Sequence, residues 1–334
     1  MARKRIIYQS QSVAIRQDSP AGATFNTAVA GVQSLNYGVD VSREDVMQYG
    51  DLGAIDRVIT DAPSVSMDTS FYVGGFGASD SAEPTNITKL ISGAMIGGRT
   101  RVFGGITTQE GINYTGAGTA VELISGSLTS LSTEASVGGI PTTSLSFEGT
   151  DISYGAVPVS APRTNLKVTT QTGVTVDLGD TTISNPTTAA DDSKGITNFQ
   201  TVSVGFDLGT ETLRRLGPSS VYGGSALGPY YYAKVPSFPA TANMSFVGLA
   251  VNRGITLVVD NRKASSRDTG ATALTGGRFS PSITFGLNKY QLVFATLDST
   301  NFSSSLGDNV TLDAACSVSI GGPNSVCKLL VTSP

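Results

Sequence analysis

The sequence predicts a mainly β protein made of two related domains, and three observations carry that prediction. The stretch Val32–Gly50 is echoed half a chain later by Phe199–Gly217, in a chain of 334 residues. Both stretches begin with alternating apolar and polar residues. Charged residues make up only 14% of the chain, against about 25% in typical domains, and Gly, Ser and Thr, which favour turns and strands, fill the difference.

The two stretches, called here the first and second repeat, match in pattern more than in identity. The identical pairs are Gln33/Gln200, Gly38/Gly205, Asp40/Asp207, Glu44/Glu211 and Gly50/Gly217. The alternating apolar residues are Leu35, Tyr37, Val39 and Val41 in the first repeat and Val202, Val204, Phe206 and Leu208 in the second. A period of two predicts, in each repeat, a strand with one buried face.

Each repeat then changes to helical spacing. Ser42 and Asp45 have the spacing of a capping box, and Gly50 is placed to end a short helix. The second repeat has apolar residues at the matching offsets in Leu213–Leu216, followed by Gly217-Pro218. Each domain is therefore predicted to carry one short α-helix beside its strands.

Strands are predicted again after each helix, at Val65–Val73 and Asn243–Val251. The Gly-rich Gly74–Gly98 is interpreted as a long hairpin loop, because it has no P-loop pattern. Asp18–Ala30 is also interpreted as a loop. The Pro-containing segment Gly155–Thr188 is the predicted join, which divides the chain into domains 1–155 and 156–334.

The composition argues against an enzyme. The chain has no histidine, which removes the commonest general base and the usual zinc ligand. Glu110 and Glu122 could in principle form a glycosidase pair, and Asp308, Asn309 and Asp313 could line a calcium loop. Neither set has a diagnostic spacing, so no catalytic residue, metal site or cofactor is predicted. The net charge of −4 also lacks the basic surface of a nucleic-acid binder.

The two cysteines, Cys316 and Cys327, flank the turn signal Gly321–Asn324. This predicts a final hairpin in which they form either a cross-strand disulfide or two reduced thiols. The N-terminal sequence has no secretory signal pattern, and no apolar stretch reaches the ~20 residues of a membrane span. The expected location is the cytoplasm, which favours reduced thiols, and no membrane partner is expected.

The order of strand, S-R-E-D-V helix, Gly stop and P-S strand resembles the tail tube (major tail) proteins of long-tailed bacteriophages. The residues that carry the resemblance are Val32–Gly50 and Pro63–Val73, and the repeat is similar to the type with two tube domains in one chain. The resemblance implies two tandem tube-type β-sandwich domains, each with a short flanking helix. It further implies homotrimeric rings of pseudo-sixfold symmetry, which stack into a tube for genome delivery.

Such a protein would be assembled in the host cytoplasm and reside in the virion tail. Its partners would be copies of itself, the tape measure and terminator proteins and, in a contractile tail, the sheath, while DNA would pass through the lumen without specific binding. Gly74–Gly98 and the N-terminal segment, with the basic residues Arg3, Lys4 and Arg5 at its tip, would make contacts between rings. Two alternatives remain: a tube protein of a contractile injection system, and an adhesive or carbohydrate-binding β-sandwich with an aromatic platform at Tyr230–Tyr232.

Overall fold

The prediction of a mainly β protein is confirmed. A computed structural model describes residues 13–18, 25–50, 52–59, 64–79, 82–104, 120–155, 166–170, 173–177, 199–216, 230–249, 280–303 and 311–334. In these ranges a single α-helix, α1 (Ala82–Met95), accompanies the strands.

The strands are numbered along the chain. The first half contains β1 (Val13–Asp18), β2 (Phe25–Val29), β3 (Val32–Asp40), β4 (Arg43–Met47), β5 (Ala54–Ile59), β6 (Ser64–Tyr72), β7 (Arg99–Gly104), β8 (Ala120–Ser136), β9 (Thr142–Gly149) and β10 (Asp151–Gly155). The second half contains β11 (Val174–Asp177), β12 (Phe199–Leu216), β13 (Tyr230–Leu249), β14 (Ser282–Phe285), β15 (Asn288–Val293), β16 (Thr296–Ser303), β17 (Thr311–Ile320) and β18 (Lys328–Thr332).

Eight strands form one antiparallel layer that runs through both halves in the order β3-β6-β9-β8-β12-β13-β17-β16. We call β3-β6-β9-β8 unit one and β12-β13-β17-β16 unit two. The two units meet where β8 pairs with β12. Hydrogen bonds therefore cross the predicted border between residues 155 and 156, and the division into two domains stays a prediction.

A second layer covers one face of these strands. In the first half, β8 continues past the layer and pairs with β7 and β10, and β7 pairs with β1 and β1 with β2. In the second half, β11-β14-β15-β18 form a separate sheet. One hydrophobic core lies between the layers; its largest fully buried side chains are Tyr290, Phe71, Phe76, Phe147, Phe206, Phe285, Ile15, Met67, Ile87, Leu90 and Leu123.

The two halves repeat the same strand connections. β6 pairs with β3 and β9 as β13 pairs with β12 and β17, and the hairpin β8–β9 has its counterpart in β16–β17. The long strand β8 has a positive φ of 50° at Ser125. Its counterpart in the second half is divided into β15 and β16, and Phe294 between them has a φ of 62°. In the described ranges these are the two non-glycine residues with positive φ, so even an uncommon backbone feature recurs at the equivalent place.

Both short helices predicted in the repeats are wrong. Arg43–Met47 is strand β4, which pairs with β5 in an exposed two-stranded ribbon. Arg57 Nε lies 3.1 Å from Asp45 Oδ1 across this ribbon. Leu213–Leu216 belongs to the continuous strand β12, which pairs with β13 along its whole length. In both places cross-strand hydrogen bonding prevails over a helical spacing that rests on only two apolar residues.

The predicted loop at Gly74–Gly98 is also wrong, because it contains α1. The helix buries Ile87, Leu90 and Ile91 in the core, and the hydroxyl of Thr88 donates to the carbonyl of Val331 at 2.7 Å. The predicted loop at Asp18–Ala30 contains β2, which pairs with β1. The predicted strand at Val65–Val73 is confirmed by β6 within one residue at each end. The predicted strand at Asn243–Val251 corresponds only to the last part of β13, which begins already at Tyr230, and its final residues 250 and 251 lie outside the described ranges.

Candidate assembly surface

The pairing of β8 with β12 shows how one unit covers the edge of the next. Leu131 lies opposite Phe206 and Thr133 opposite Val204 in this antiparallel register. The apolar row of the second repeat is consequently buried: Val204 and Phe206 are each 0% exposed. The prediction of a strand with one buried face is therefore confirmed for β12.

The equivalent row of the first repeat is uncovered. Tyr37 is 51% exposed and Val39 is 52% exposed, although both alternate with polar residues as Val204 and Phe206 do. β3 pairs with β6 on one side, and no other described strand pairs with it. The predicted buried face is therefore wrong for β3 in the single chain, because β3 lies at an edge where β12 has a neighbour.

The opposite end of the eight-strand layer has a second open edge at β16. This strand pairs with β17, and within the described ranges it has no partner on its outer side. Ser299, Asn301 and Ser303 are exposed there. Since β16 is the counterpart of β8 and β3 that of β12, the outer edges of the layer are the two partners of a junction that the chain already makes internally. Open edges of this kind favour pairing with another chain.

The face of the layer that points away from the core is polar and acidic. Its side chains are mainly Ser, Thr and Asn. The described charged residues at these alternating positions are Asp40, Asp68, Glu134, Glu148, Asp207 and Asp313. Among the residues whose side chains the structure describes, no lysine or arginine lies on this face. The chain thus concentrates negative charge on one surface, which repels phosphate backbones.

The ribbon formed by β4 and β5, called here the arm, extends beyond the layer with its side chains in solvent. It carries large exposed apolar residues, namely Val46, Met47, Tyr49, Leu52, Ile55 and Val58. The corresponding part of unit two is the far end of the β12–β13 hairpin, which begins after the bulge between Asp207 and Gly209. Such a concentration of exposed apolar side chains on one short ribbon makes it a candidate site of protein association.

The structure separates the two cysteines predicted to share a hairpin. Cys316 lies on β17, which pairs with β13 and β16, while Cys327 precedes β18, which pairs with β15. The predicted final hairpin is wrong, because the last two strands belong to different layers. Both thiols are free, with Cys316 buried and Cys327 half-buried. Burial raises the pKa of the Cys316 thiol to about 12, and the charge of Asp298 adds to this effect.

The other residues singled out in the sequence form no joint site. Glu122 binds Arg101 at 3.2 Å and accepts a hydrogen bond from Ser153, while Glu110 lies outside the described residues. Asp313 is exposed on β17; Asp308 and Asn309 are outside the described ranges. Across the described ranges, His, Cys, Asp and Glu residues form no cluster that could hold a metal ion.

Two further predictions concern surfaces. Tyr230–Tyr232 begin β13 and pair with the end of β12, so the proposed aromatic platform lies on a paired strand. The N-terminal residues Arg3, Lys4 and Arg5 lie outside the described ranges. In the part of the chain that the structure describes, no helix has the length and apolar character needed to cross a bilayer.

Sequence comparisons add no relative to this picture. No protein-family model matches the chain, and none of the curated proteins is significantly similar to it.

Proposed function

We propose that this protein is the tail tube protein of a long-tailed bacteriophage and assembles into stacked rings that form the conduit for its genome. The observation that carries this proposal is the edge-to-edge junction of β8 with β12 between two units of the same connectivity. A junction between the end of one unit and the beginning of the next is heterologous, and repeating it closes a ring when the rotation permits. β3 and β16 supply the edges for that repetition.

The number of chains in the ring follows from the resemblance to the family. Six units make a ring there, so three chains with two units each would form a trimer of pseudo-sixfold symmetry. Closing the ring removes both open edges of every chain, which is the most complete protection a sheet edge can have. Because β3 exposes Tyr37 and Val39 in the single chain, ring closure also buries apolar surface.

The acidic face gives the ring a lumen suited to DNA. One face of the eight-strand layer is covered by the second layer and α1, so the polar face is the one left to line a central channel. Negative charge on that face would repel the DNA backbone and let it pass without adhering. Tape measure, terminator and, in a contractile tail, sheath proteins are the expected further partners, and the virion tail is the expected location.

Electron microscopy of the negatively stained protein, together with sedimentation, tests the proposal. We expect hollow rings or tubes and a building block of three chains. A chain that stays monomeric at high concentration would contradict assembly and would direct attention to the adhesive alternative, for which a glycan-binding screen is the direct assay. The tube of a contractile injection system would show the same rings, and the acidic face is what favours a DNA conduit over it.

A further inference from the structure

We propose that β16 of one chain pairs antiparallel with β3 of the next chain in the register of the internal β8–β12 junction, with Ser303 opposite Asn36, Asn301 opposite Gly38 and Ser299 opposite Asp40. This inference rests on the proposed function, because it specifies the contact by which rings would close. The partner is a second copy of this chain.

The correspondence between β8 and β16 follows from a shared irregularity. β8 has a register shift against β9 between Leu128 and Ser130. β16 has a register shift against β17 between Leu297 and Ser299. Bulges are specific features of a strand's pairing, so Ser130 corresponds to Ser299.

The correspondence between β12 and β3 is set by their neighbours. Tyr37 lies opposite Met67, which in turn lies opposite Phe147 on β9. In unit two, Val204 lies opposite Met244, and Met244 lies opposite Cys316 on β17. Ser130 pairs with Ser146, and its counterpart Ser299 pairs with Ala315. The next residues along β9 and β17, Phe147 and Cys316, therefore correspond. Tyr37 and Val204, reached from them through the two methionines, correspond as well.

The neighbouring positions follow from these two alignments, because the residues of two equivalent strands correspond one by one in the same chain direction. Tyr37 aligned with Val204 places Asp40 at the position of Asp207. Likewise, Ser130 aligned with Ser299 places Asn301 and Ser303 at the positions of Ser132 and Glu134. The sequence repeat gives the same alignment for β3 and β12, since Asp40 and Asp207 are identical.

The internal junction then serves as the template. It pairs Asp207 with Ser130, Gly205 with Ser132, and Ser203 with Glu134. Replacing each residue by its counterpart gives the proposed contacts between chains. No proposed pair places two carboxylates opposite each other, so the register avoids the like-charge repulsion that destabilises cross-strand pairs.

The same template places the arm on the neighbouring chain. Within the chain, the hydroxyl of Thr210, just after the bulge in β12, donates to Glu148 Oε2 at 2.5 Å and so joins β12 of unit two to β9 of unit one. The counterpart of Thr210 is Arg43 at the start of the arm, and the counterpart of Glu148 is Ser317 on β17. The start of the arm would therefore lie against β17 of the next chain, which brings the exposed apolar residues of the arm close to that chain.

Engineered disulfides test this register. In a Cys327→Ser background, Asn36→Cys and Ser303→Cys are introduced in separate chains, which are mixed, assembled and oxidised. We expect covalent dimers only in the mixture, because the bond joins β3 of one chain to β16 of another. Asp40→Cys mixed with Ser299→Cys should behave in the same way. The mismatched control, Asn36→Cys mixed with Ser299→Cys, should give none, because the two positions are out of register.

Each outcome separates this inference from the proposed function. Rings seen by microscopy together with the matched disulfides support both. Rings with disulfides only in the mismatched mixture, or in no mixture, overturn the register while leaving the tube proposal intact. Mixtures that sediment as folded monomers and form no disulfide overturn both.

Discussion

The hydroxyl of Thr133 on β8 donates to the hydroxyl of Tyr290 on β15 at 3.1 Å inside the core, and thereby connects the two halves of the chain. Thr143 on β9 lies 3.0 Å from the same Thr133 oxygen. The counterpart of Tyr290 in the first half is Val121, which has no hydroxyl. This polar contact is thus a difference between two otherwise similar strand arrangements.

Replacing Tyr290 with Phe should lower the free energy of unfolding by about 0.5–1.5 kcal/mol, the usual net contribution of one hydrogen bond. The loss should be moderate because Thr133 and Thr143 can still bond to each other. Urea unfolding followed by circular dichroism measures it. Tyr49→Phe is the matched control, since Tyr49 is fully exposed and should leave the unfolding free energy unchanged. Equal effects of the two variants would contradict the assigned role.

The same tyrosine should make stability depend on alkaline pH. Burial raises the pKa of Tyr290 above its usual range, and the charge of Glu83 adds to this. A raised pKa means that its contribution is complete below the unfolded value of about 10 and declines as the pH rises beyond it. Urea titrations on both sides of that pH should therefore show a smaller decline for Tyr290→Phe than for the natural protein. A decline of the same size in both would exclude Tyr290 as its source.

The two thiols should differ in reactivity. Cys316 is 1% exposed, with its pKa raised to about 12, so almost none of it is thiolate near neutral pH. Cys327 is only half-buried. A thiol reagent near neutral pH should label Cys327 in the folded chain and both residues after unfolding, as mass spectrometry would show. If neither residue reacted, before or after unfolding, until a reductant was added, the two thiols would instead be joined in a disulfide.

Substitution at the open edge should stop assembly and leave the fold intact. Val39→Lys places a charge in the row of side chains that a neighbouring chain would bury. The single chain should tolerate this charge, because Val39 is already half exposed there. We expect monomers on sedimentation with an unchanged circular dichroism spectrum. Val326→Lys is the control, because Val326 is exposed outside both edges. Rings formed by the Val39 variant as readily as by the control would argue against β3 as an assembly edge.

Reversing charge on the polar face should make assembled tubes retain DNA. Asp68→Lys together with Asp207→Lys converts two acidic positions to basic ones, and Lys binds phosphate in a salt-dependent way. DNA co-sedimentation with tubes at low salt should rise for this variant and fall again when salt is added. Asp177→Lys, which changes charge on the second layer, should have little effect. Similar retention by both variants would place the polar face elsewhere than the lumen.

Alternation along the chain was sufficient to predict β3, β6, β12 and the last part of β13 in the eight-strand layer. Val204 and Phe206, for example, are buried as their spacing predicts. Period-two patterns succeed here because one face of this layer is covered and the other is polar. The pairing partners were not predictable, since each strand's pattern reports its own faces and not its neighbours.

The helix was missed for a physical reason. α1 lies in a Gly-rich segment, and Gly93 near its end reads as a helix breaker. In the structure a side chain at Gly93 would overlap the amide of Gln17, with the nearest atom at 1.5 Å. Glycine is used there for close packing of α1 on β1, which only the tertiary structure reveals.

The candidate assembly surface was only partly visible in the sequence. The identity of Asp40 and Asp207 indicated an acidic position on the same face of both repeats. The edges themselves could not be predicted, because Tyr37 and Val39 have the alternating pattern of buried residues. Only the structure shows that they lie on the last strand of the layer and are exposed.

The covalent link between the two units has a consequence for the speed and cost of assembly. Association of separate molecules costs an estimated 4–15 kcal/mol in lost translational and rotational freedom. Because β8 and β12 belong to one chain, their junction forms during folding at a high effective concentration and avoids that cost. In a ring of three such chains, every second junction is already made before the first encounter, so nucleation depends on fewer collisions and on a lower protein concentration.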